Sequence, residues 1–248
     1  MRGGNDQIAT RLRDRLPRPV NHGHELVAIR QTAAGGYSLT FNAGGTTKTV
    51  PADRVVLAIP FSILRSSVDY SRAGFDTVKK TAIAKLGMGT NSKLQLGFKT
   101  RHWSALGCNG DTYADTGYQA TWDVSRSQPG TAGILVDYTG GKIGNSFGTG
   151  TLPGRAQQFL SQIEPVLPGI TKQWDGRVTL DYWAAYPWTK GSYSYYRVGQ
   201  YHAFGGAESE ISGACHFCGE HTTQDFQGYL NGAVDTGQRA AAEVLDAV

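Results

Sequence analysis

The chain has little of several residue types, and each shortage excludes a class of protein. Its three cysteines are an odd number, which argues against a disulfide framework. No apolar run approaches the length that crosses a bilayer, and no signal peptide opens the chain, so we expect no membrane contact. The net charge of +4 is mild, and the basic cluster Arg11, Arg13, Arg15 and Arg18 fits a solvated helix face better than a nucleic-acid site. Cytoplasmic and secreted locations both stay open.

Two further motifs are missing. A strand followed by Gly-x-Gly-x-x-Gly, the turn that holds a dinucleotide pyrophosphate, does not occur in these residues. The nearest candidate, residues 148–154, has the wrong glycine spacing, no strand directly before it and a proline inside. Cys215 and Cys218 have the two-residue gap of a metal or redox pair, yet they lie in a predicted strand, where residues three apart point to opposite faces. We therefore expect buried structural cysteines and no metal site.

What is present indicates a packed protein of mixed α/β or α+β class. Apolar residues make up 40% of the chain, and its 33 glycines indicate many tight turns. Apolar spacing predicts helices over residues 6–16, 75–86 and 154–167, and from 228 to the end. Runs of strand-forming residues predict strands over 25–31, 37–41, 54–59, 93–98, 119–124, 133–138, 179–184 and 214–218.

The most informative stretch is residues 218–234, which joins a short apolar strand to a helix through a polar, glycine-rich turn. Backbone N–H groups at the start of such a helix are unsatisfied and carry about half a positive charge, which favours an anion or a reduced flavin ring. Any strand–turn–helix unit of an α/β protein offers the same geometry. The spacing alone does not decide between the two interpretations.

The same stretch resembles the closing flavin-binding signature of the flavin-dependent amine oxidases, a family that includes monoamine, polyamine and L-amino-acid oxidases. The matching blocks follow that family's order along essentially the whole chain. They are GEHT at 219–222, FQGY at 226–229, NGAV at 231–234, GGNDQ at 3–7, RVVLAIP at 54–60 and SKLQL at 92–96, with Trp183 ten residues before Tyr193.

The resemblance implies FAD as cofactor and a two-part architecture. Residues 1–64 with 212–248 would complete an FAD-binding domain, while 65–211 would form a substrate domain whose mixed or antiparallel sheet is covered by helices. Ser192 stands where some members have a cysteine bonded to the flavin, so non-covalent FAD is expected. The family's Gly-x-Gly-x-x-Gly segment would precede Gly3, so we expect a missing N-terminal FAD-binding half, or else self-association as a homo-oligomer over the exposed apolar surface.

The resemblance also assigns three catalytic residues. Lys93 would reach a water at the flavin N5, although a solvated lysine on a strand is the usual explanation for such a residue. Tyr193 and Tyr229 would stand on either side of the substrate slot, where flat rings restrict the approach of an amine and desolvation lowers its pKa. Both are otherwise ordinary packing tyrosines. Lys99, beside Arg101, fits a surface position better than the site.

The remaining assigned residues would contact the cofactor. Leu26 and Val27 would meet the adenine through their backbone, Pro60 and Trp183 would lie beside the flavin, and Gly219 with Glu220 would run along the ribityl chain. Glu220 could instead cap the following turn. Gly228, Tyr229 and Leu230 would offer N–H groups to the flavin O2 edge. His221 lacks any nucleophile in a recognisable elbow, so we interpret it as structural.

These assignments predict oxidation of an amine or amino acid to an imine, with reduction of oxygen to hydrogen peroxide. The fragment alone would be inactive. The alternative is a non-catalytic binding or regulatory subunit of a larger flavoprotein. Desaturase-like and protoporphyrinogen-oxidase-like enzymes share the fold, but Trp183, Tyr193 and Tyr229 favour amines. Arg197 is one candidate to hold a substrate carboxylate.

Overall fold

The computed structural model describes residues 4–247, so Gly3 of the matched glycine pair lies outside it. The mixed α/β class is confirmed. The helices are α1 Asp6–Arg13, α2 Phe61–Ser67, α3 Thr77–Lys85, α4 His102–Ala105, α5 Gly141–Ser146, α6 Leu152–Ile163, α7 Gln200–Phe204 and α8 Leu230–Leu245.

The described residues also form thirteen strands. They are β1 His24–Gln31, β2 Tyr37–Ala43, β3 Thr46–Ala52, β4 Val55–Leu57, β5 Asp69–Arg72, β6 Gly87–Met88, β7 Ser92–Phe98, β8 Thr112–Tyr113, β9 Ala120–Asp123, β10 Gly133–Thr139, β11 Trp174–Tyr182, β12 Ser194–Tyr195 and β13 Cys215–Phe217.

The strands form two larger sheets and two short pairs. One sheet has the order β3-β2-β1-β5, and the other is antiparallel with the order β11-β7-β10-β9-β8. The strands β12 and β6 form an antiparallel pair, whereas β13 and β4 run parallel. In the parallel pair, β4 of the RVVLAIP block lies directly beside β13, the strand that precedes the GEHT turn.

Two of the predicted helices end earlier than their apolar pattern does, and prolines explain why. The first ends at Arg13 because the residue before Pro17 is driven out of the helical region. The third ends at Ile163, two residues before Pro165, and begins at Leu152 because the Thr151 hydroxyl accepts a hydrogen bond from the N–H of Gly154 at 3.2 Å. The helix α2 has only seven residues, too few for a helical period to be recognised in the sequence.

The interior has two apolar clusters. The first lies between β4, β13, α2 and α3, and its centre is formed by Phe61, Leu64, Ile83 and Phe217. The second lies between the five-stranded sheet and α6, around Leu94, Leu96, Leu135 and Phe159. Residues of α3 and α7 pack in the first cluster, although both helices lie in the stretch assigned to the substrate domain. The division into two domains stays a prediction.

Candidate active site

The five-stranded sheet places Lys93 in a row of polar and aromatic side chains. On β7, Leu94 and Leu96 are fully buried against the second cluster, whereas Lys93 points to the other face with Gln95. In the antiparallel register, Lys93 lies opposite Tyr138 of β10 and opposite Asp181 of β11. Paired residues of antiparallel strands project to the same side, so these three side chains are neighbours.

Tyr193 joins this row from a different part of the chain. Its hydroxyl lies 3.0 Å from the hydroxyl of Tyr138, and the ring of Trp122 packs 5.2 Å from the Tyr138 ring. Burial raises the pKa of Tyr138, and the hydrogen bond to Tyr193 raises it further. Lys93 and Tyr193 are therefore linked through Tyr138, which the sequence analysis did not select.

Tyr229 follows a glycine that lies against the Tyr193 ring. Gly228 has φ +85°, and a Cβ added there would be 3.4 Å from Cδ2 of Tyr193. Any other residue would be strained by this left-handed backbone, so the position favours glycine. The Tyr229 side chain is 70% exposed, next to Leu230. The backbone thus brings Tyr193 and Tyr229 to one place.

Glu220 ties these two segments together. Its Oε1 accepts a hydrogen bond from the N–H of Ser194 at 3.0 Å, and its Oε2 accepts from the Ser194 hydroxyl and the N–H of Gly228, both at 2.8 Å. Because protein donors engage both oxygens, the carboxylate acts as a clamp between the strand after Tyr193 and the turn before Tyr229. This geometry favours the structural interpretation of Glu220 over a direct contact with hydroxyl groups of a cofactor.

The start of the GEHT turn is equally constrained. Gly219 has φ +125°, and a Cβ there would lie 2.7 Å from Cε1 of His221. The His221 ring is buried and meets the edge of Phe61 at 4.6 Å. Burial lowers the pKa of His221 to about 4, so the ring is neutral near pH 7. The geometry agrees with a structural residue.

Trp183 and Pro60 approach the same loop, residues 189–191. The Trp183 carbonyl accepts a hydrogen bond from the N–H of Gly191 at 3.1 Å, two residues before Tyr193. Pro60 caps the start of α2, and the Ser62 hydroxyl in the first turn of that helix donates to the carbonyl of Thr189. The exposed fraction of the Trp183 side chain is 37%.

Leu26 and Val27 lie on β1, in the other large sheet, and not in the Lys93 row. The pairing of β1 with β2 shifts between Leu26 and Ala28, so Val27 is the extra residue of a β-bulge. Leu26 lines an apolar cavity of about 360 Å³ together with Ala58, Ile59 and Trp188. A bulge leaves backbone groups without ladder partners, which agrees with a position where backbone contacts a ligand.

Cys215 and Cys218 are buried, and residues 4–247 contain no group of three or more His, Cys, Asp or Glu side chains that could hold a metal ion. Among the helices of that range, none is long and apolar enough to cross a membrane. Burial, and next the charge of Arg197, lower the pKa of the Arg65 guanidinium, so Arg197 lies on the α2 side of the molecule.

Comparisons with known proteins identify the family. The model of the flavin-containing amine oxidoreductases matches residues 1–245, so the chain belongs to this family. It is 29% identical over 208 residues to the putative L-amino-acid oxidase YobN of Bacillus subtilis, covering 78% of this chain and 41% of that protein. It is 26% identical over 221 residues to polyamine oxidase 2 of Arabidopsis thaliana, covering 89% of this chain and 44% of that protein.

Solved structures agree on the fold. A mutant of putrescine oxidase superposes with a TM-score of 0.86 at 21% identity, over 99% of this chain and 53% of that one. Cyclohexylamine oxidase from Brevibacterium oxydans gives a TM-score of 0.85 at 21% identity, over 98% and 53%. The chain therefore spans about half the length of these relatives.

FAD is the cofactor that family membership implies, and the exposed end of α8 fits such a group. The N-cap residue of this helix, Tyr229, makes no side-chain cap hydrogen bond. The N–H groups of Gly228 and Tyr229 donate to Glu220 Oε2 and to the carbonyl of Phe226 at 3.1 Å, so of the three N–H groups predicted to face the flavin only that of Leu230, in the first turn of the helix, is left to do so. Leu230 and Tyr229 are both exposed at this end, as a surface that receives a flat ring requires.

Proposed function

We propose that this chain supplies the substrate side of an amine oxidase site that converts an amine or amino acid to an imine and reduces oxygen to hydrogen peroxide. The observation that carries the proposal is the pairing of Lys93 with Tyr138 across neighbouring strands and the 3.0 Å approach of the Tyr138 and Tyr193 hydroxyls, with Gly228, the residue before Tyr229, next to the Tyr193 ring. It joins a lysine, two phenols and an open helix end in one region.

FAD, when bound, accepts the two electrons of the oxidation. In this reaction, one C–H bond next to nitrogen breaks, the nitrogen loses a proton, and a C=N bond forms. Oxygen then takes up two electrons and two protons to give hydrogen peroxide. The protein has to orient the carbon and keep the nitrogen neutral.

The residues present suit that task. The aromatic side chains of Trp122, Tyr138 and Tyr193 give an apolar wall, and removal of water from an amine lowers its pKa and keeps the lone pair available. Lys93, half-buried on the same face, would stabilise negative charge that develops as oxygen is reduced. We also propose non-covalent attachment, because residue 192 is a serine whose hydroxyl lies 2.8 Å from Oδ1 of Asn91.

We further propose that an N-terminal nucleotide-binding portion packs on this chain. An apolar groove of about 750 Å³ runs between α1 and α8 and is lined by Ile8, Leu12, Leu230 and Val234. Three of these, Leu12, Leu230 and Val234, are more than half exposed. A portion that holds the nucleotide part of FAD and packs on α1 and α8 would cover the groove, and this chain without it would be inactive.

The test is anaerobic mixing of the FAD-loaded protein, including the nucleotide-binding portion, with a panel of amines and amino acids. Bleaching of the flavin absorbance, followed on admission of air by recovery and an equivalent of hydrogen peroxide, is expected. A protein that binds FAD but is reduced by no member of the panel would contradict the oxidase proposal. A complex that takes up no FAD at all would indicate a non-catalytic binding or regulatory subunit.

A further inference from the structure

We infer that Tyr138 is a positioning residue that holds the ring of Tyr193 in place, an inference that rests on the proposed function. Tyr193 lies in a loop. The strand that follows it, β12, has only two residues, Ser194 and Tyr195, which pair with β6. Its backbone is fixed, because its carbonyl accepts a hydrogen bond from the N–H of Gly89 at 2.7 Å. Its hydroxyl end needs a second anchor.

Tyr138 provides this anchor from the five-stranded sheet. Its register in β10 is fixed on both sides, with Lys93 on one neighbouring strand and Ala120 on the other. The ring of Trp122 packs against it at an interplanar angle of 57°. The hydroxyl of Tyr138 is therefore presented from a rigid position, 3.0 Å from that of Tyr193.

The two contacts on Tyr193 act at different points. Gly228 approaches the backbone end of the ring, where a Cβ added at the glycine would lie 3.4–3.8 Å from Cδ2, Cγ and Cβ of Tyr193, whereas Tyr138 contacts the hydroxyl at the opposite end. Two separated contacts restrict rotation about both side-chain bonds, which one contact cannot do. Loss of the hydroxyl bond leaves the ring free to tilt over the slot, and small misplacements of a substrate-positioning group slow a reaction strongly.

The experiment compares Tyr138→Phe, Tyr193→Phe and the double variant in the FAD-loaded protein. Each single change removes the same hydrogen bond and leaves both rings. We expect each to lower the limiting rate constant of flavin reduction about fivefold to tenfold, with little change in the dissociation constant of the amine. The double variant should be no slower than either single variant, because the bond can be lost only once.

A matched control lies on the opposite face of the same sheet. Tyr118 is buried in the second apolar cluster, and its hydroxyl lies 2.8 Å from that of Thr112. Tyr118→Phe removes a comparable hydrogen bond without touching Tyr193, so it should leave the reduction rate unchanged. An equal loss of rate in Tyr118→Phe, or multiplied losses in the double variant, would overturn the positioning role.

A second measurement separates this inference from the oxidase proposal. The melting temperatures of the same FAD-loaded variants should show the same non-additivity, whether or not any amine reduces the flavin. If no amine reacts but the melting temperatures are non-additive, the oxidase proposal fails and the link between the two tyrosines stands. Additive melting temperatures would refute the link itself.

Discussion

The antiparallel five-stranded sheet and the parallel pair of β4 with β13 differ in how deeply their apolar side chains are buried. The antiparallel sheet has five strands, and Leu94, Leu96 and Leu135 on its inner face are fully buried. The parallel pair has two strands of three residues, and Val56 in its β4 strand is 45% exposed. Parallel sheets are normally covered on both faces. The antiparallel sheet therefore buries the inner face of its central strands, whereas the parallel pair leaves one of its apolar side chains partly exposed.

The largest expected effect compares a leucine of the antiparallel sheet with one of the exposed α1–α8 groove. Leu96→Ala should lower the free energy of unfolding by about 2–5 kcal/mol, because it leaves a cavity in a closed core. Leu12→Ala should cost less than about 0.5 kcal/mol in this chain, because Leu12 is 58% exposed. Denaturant unfolding measures both. In a protein extended by the nucleotide-binding portion, the cost at Leu12 should exceed about 1 kcal/mol; an unchanged cost would mean that the groove stays open.

A second prediction concerns the pH dependence of the antiparallel region. Burial raises the pKa of Asp137 in β10 to about 7, so its carboxyl stays protonated in the folded state after the unfolded chain has ionised. Between about pH 4 and 7 the unfolded state binds fewer protons, and stability falls as the pH rises. Asp137→Asn should remove this fall, which is up to about 4 kcal/mol, as measured by hydrogen exchange of the sheet amides. A slope that persists in Asp137→Asn would assign it to other groups.

The stability of the GEHT turn region should depend on pH in the opposite direction. The pKa of His221 is lowered to about 4 by burial, so the unfolded state binds more protons below about pH 6.5. Stability is then lost as the pH falls from about 6.5 to 4, by up to about 3 kcal/mol. His221→Gln should flatten the dependence for amides of the GEHT turn and leave the sheet amides unchanged. Equal flattening in both regions would show that they unfold together.

The next prediction tests the contribution of the antiparallel region to the site. Lys93→Met should slow reoxidation of the reduced flavin by oxygen about 10²-fold, because a cation near the developing negative charge is lost. Stopped-flow mixing with oxygen measures this step. Lys99→Met, at an exposed position just beyond the end of the same strand, serves as the control and should have no effect. If both variants reoxidise at the wild-type rate, Lys93 is an ordinary strand lysine.

The last prediction tests the contribution of the α8 side. Tyr229→Ala should slow flavin reduction by an amine about tenfold to a hundredfold while FAD binding is retained. The exposed Tyr113→Ala provides the comparison, since Tyr113 lies at the edge of the antiparallel sheet and is 84% exposed. Parallel losses of reduction rate and of FAD content in Tyr229→Ala would indicate a folding role instead.

Sequence reasoning identified most of the regular elements, because their apolar period is local. It missed Tyr138, although β10 itself was predicted. Alternation shows that Tyr138 and Asp137 point to opposite faces, but it does not show which face meets Lys93. Which side chain of β10 lies next to Lys93 depends on the register between β7 and β10. The interpretation of Glu220 also needed the fold, because its partner Ser194 lies 26 residues away.

The sequence by itself determined the mixed α/β class, the family and the sides of β7 on which Lys93 and Leu94 lie. These follow from side-chain period, glycine positions and motif order, which are properties of short segments. The tertiary structure alone decided that Tyr138 meets Tyr193, that Gly228 lies against the same ring, and that the α1–α8 groove is open. Such contacts join residues distant in the chain, and only strand register and packing fix which distant side chains meet.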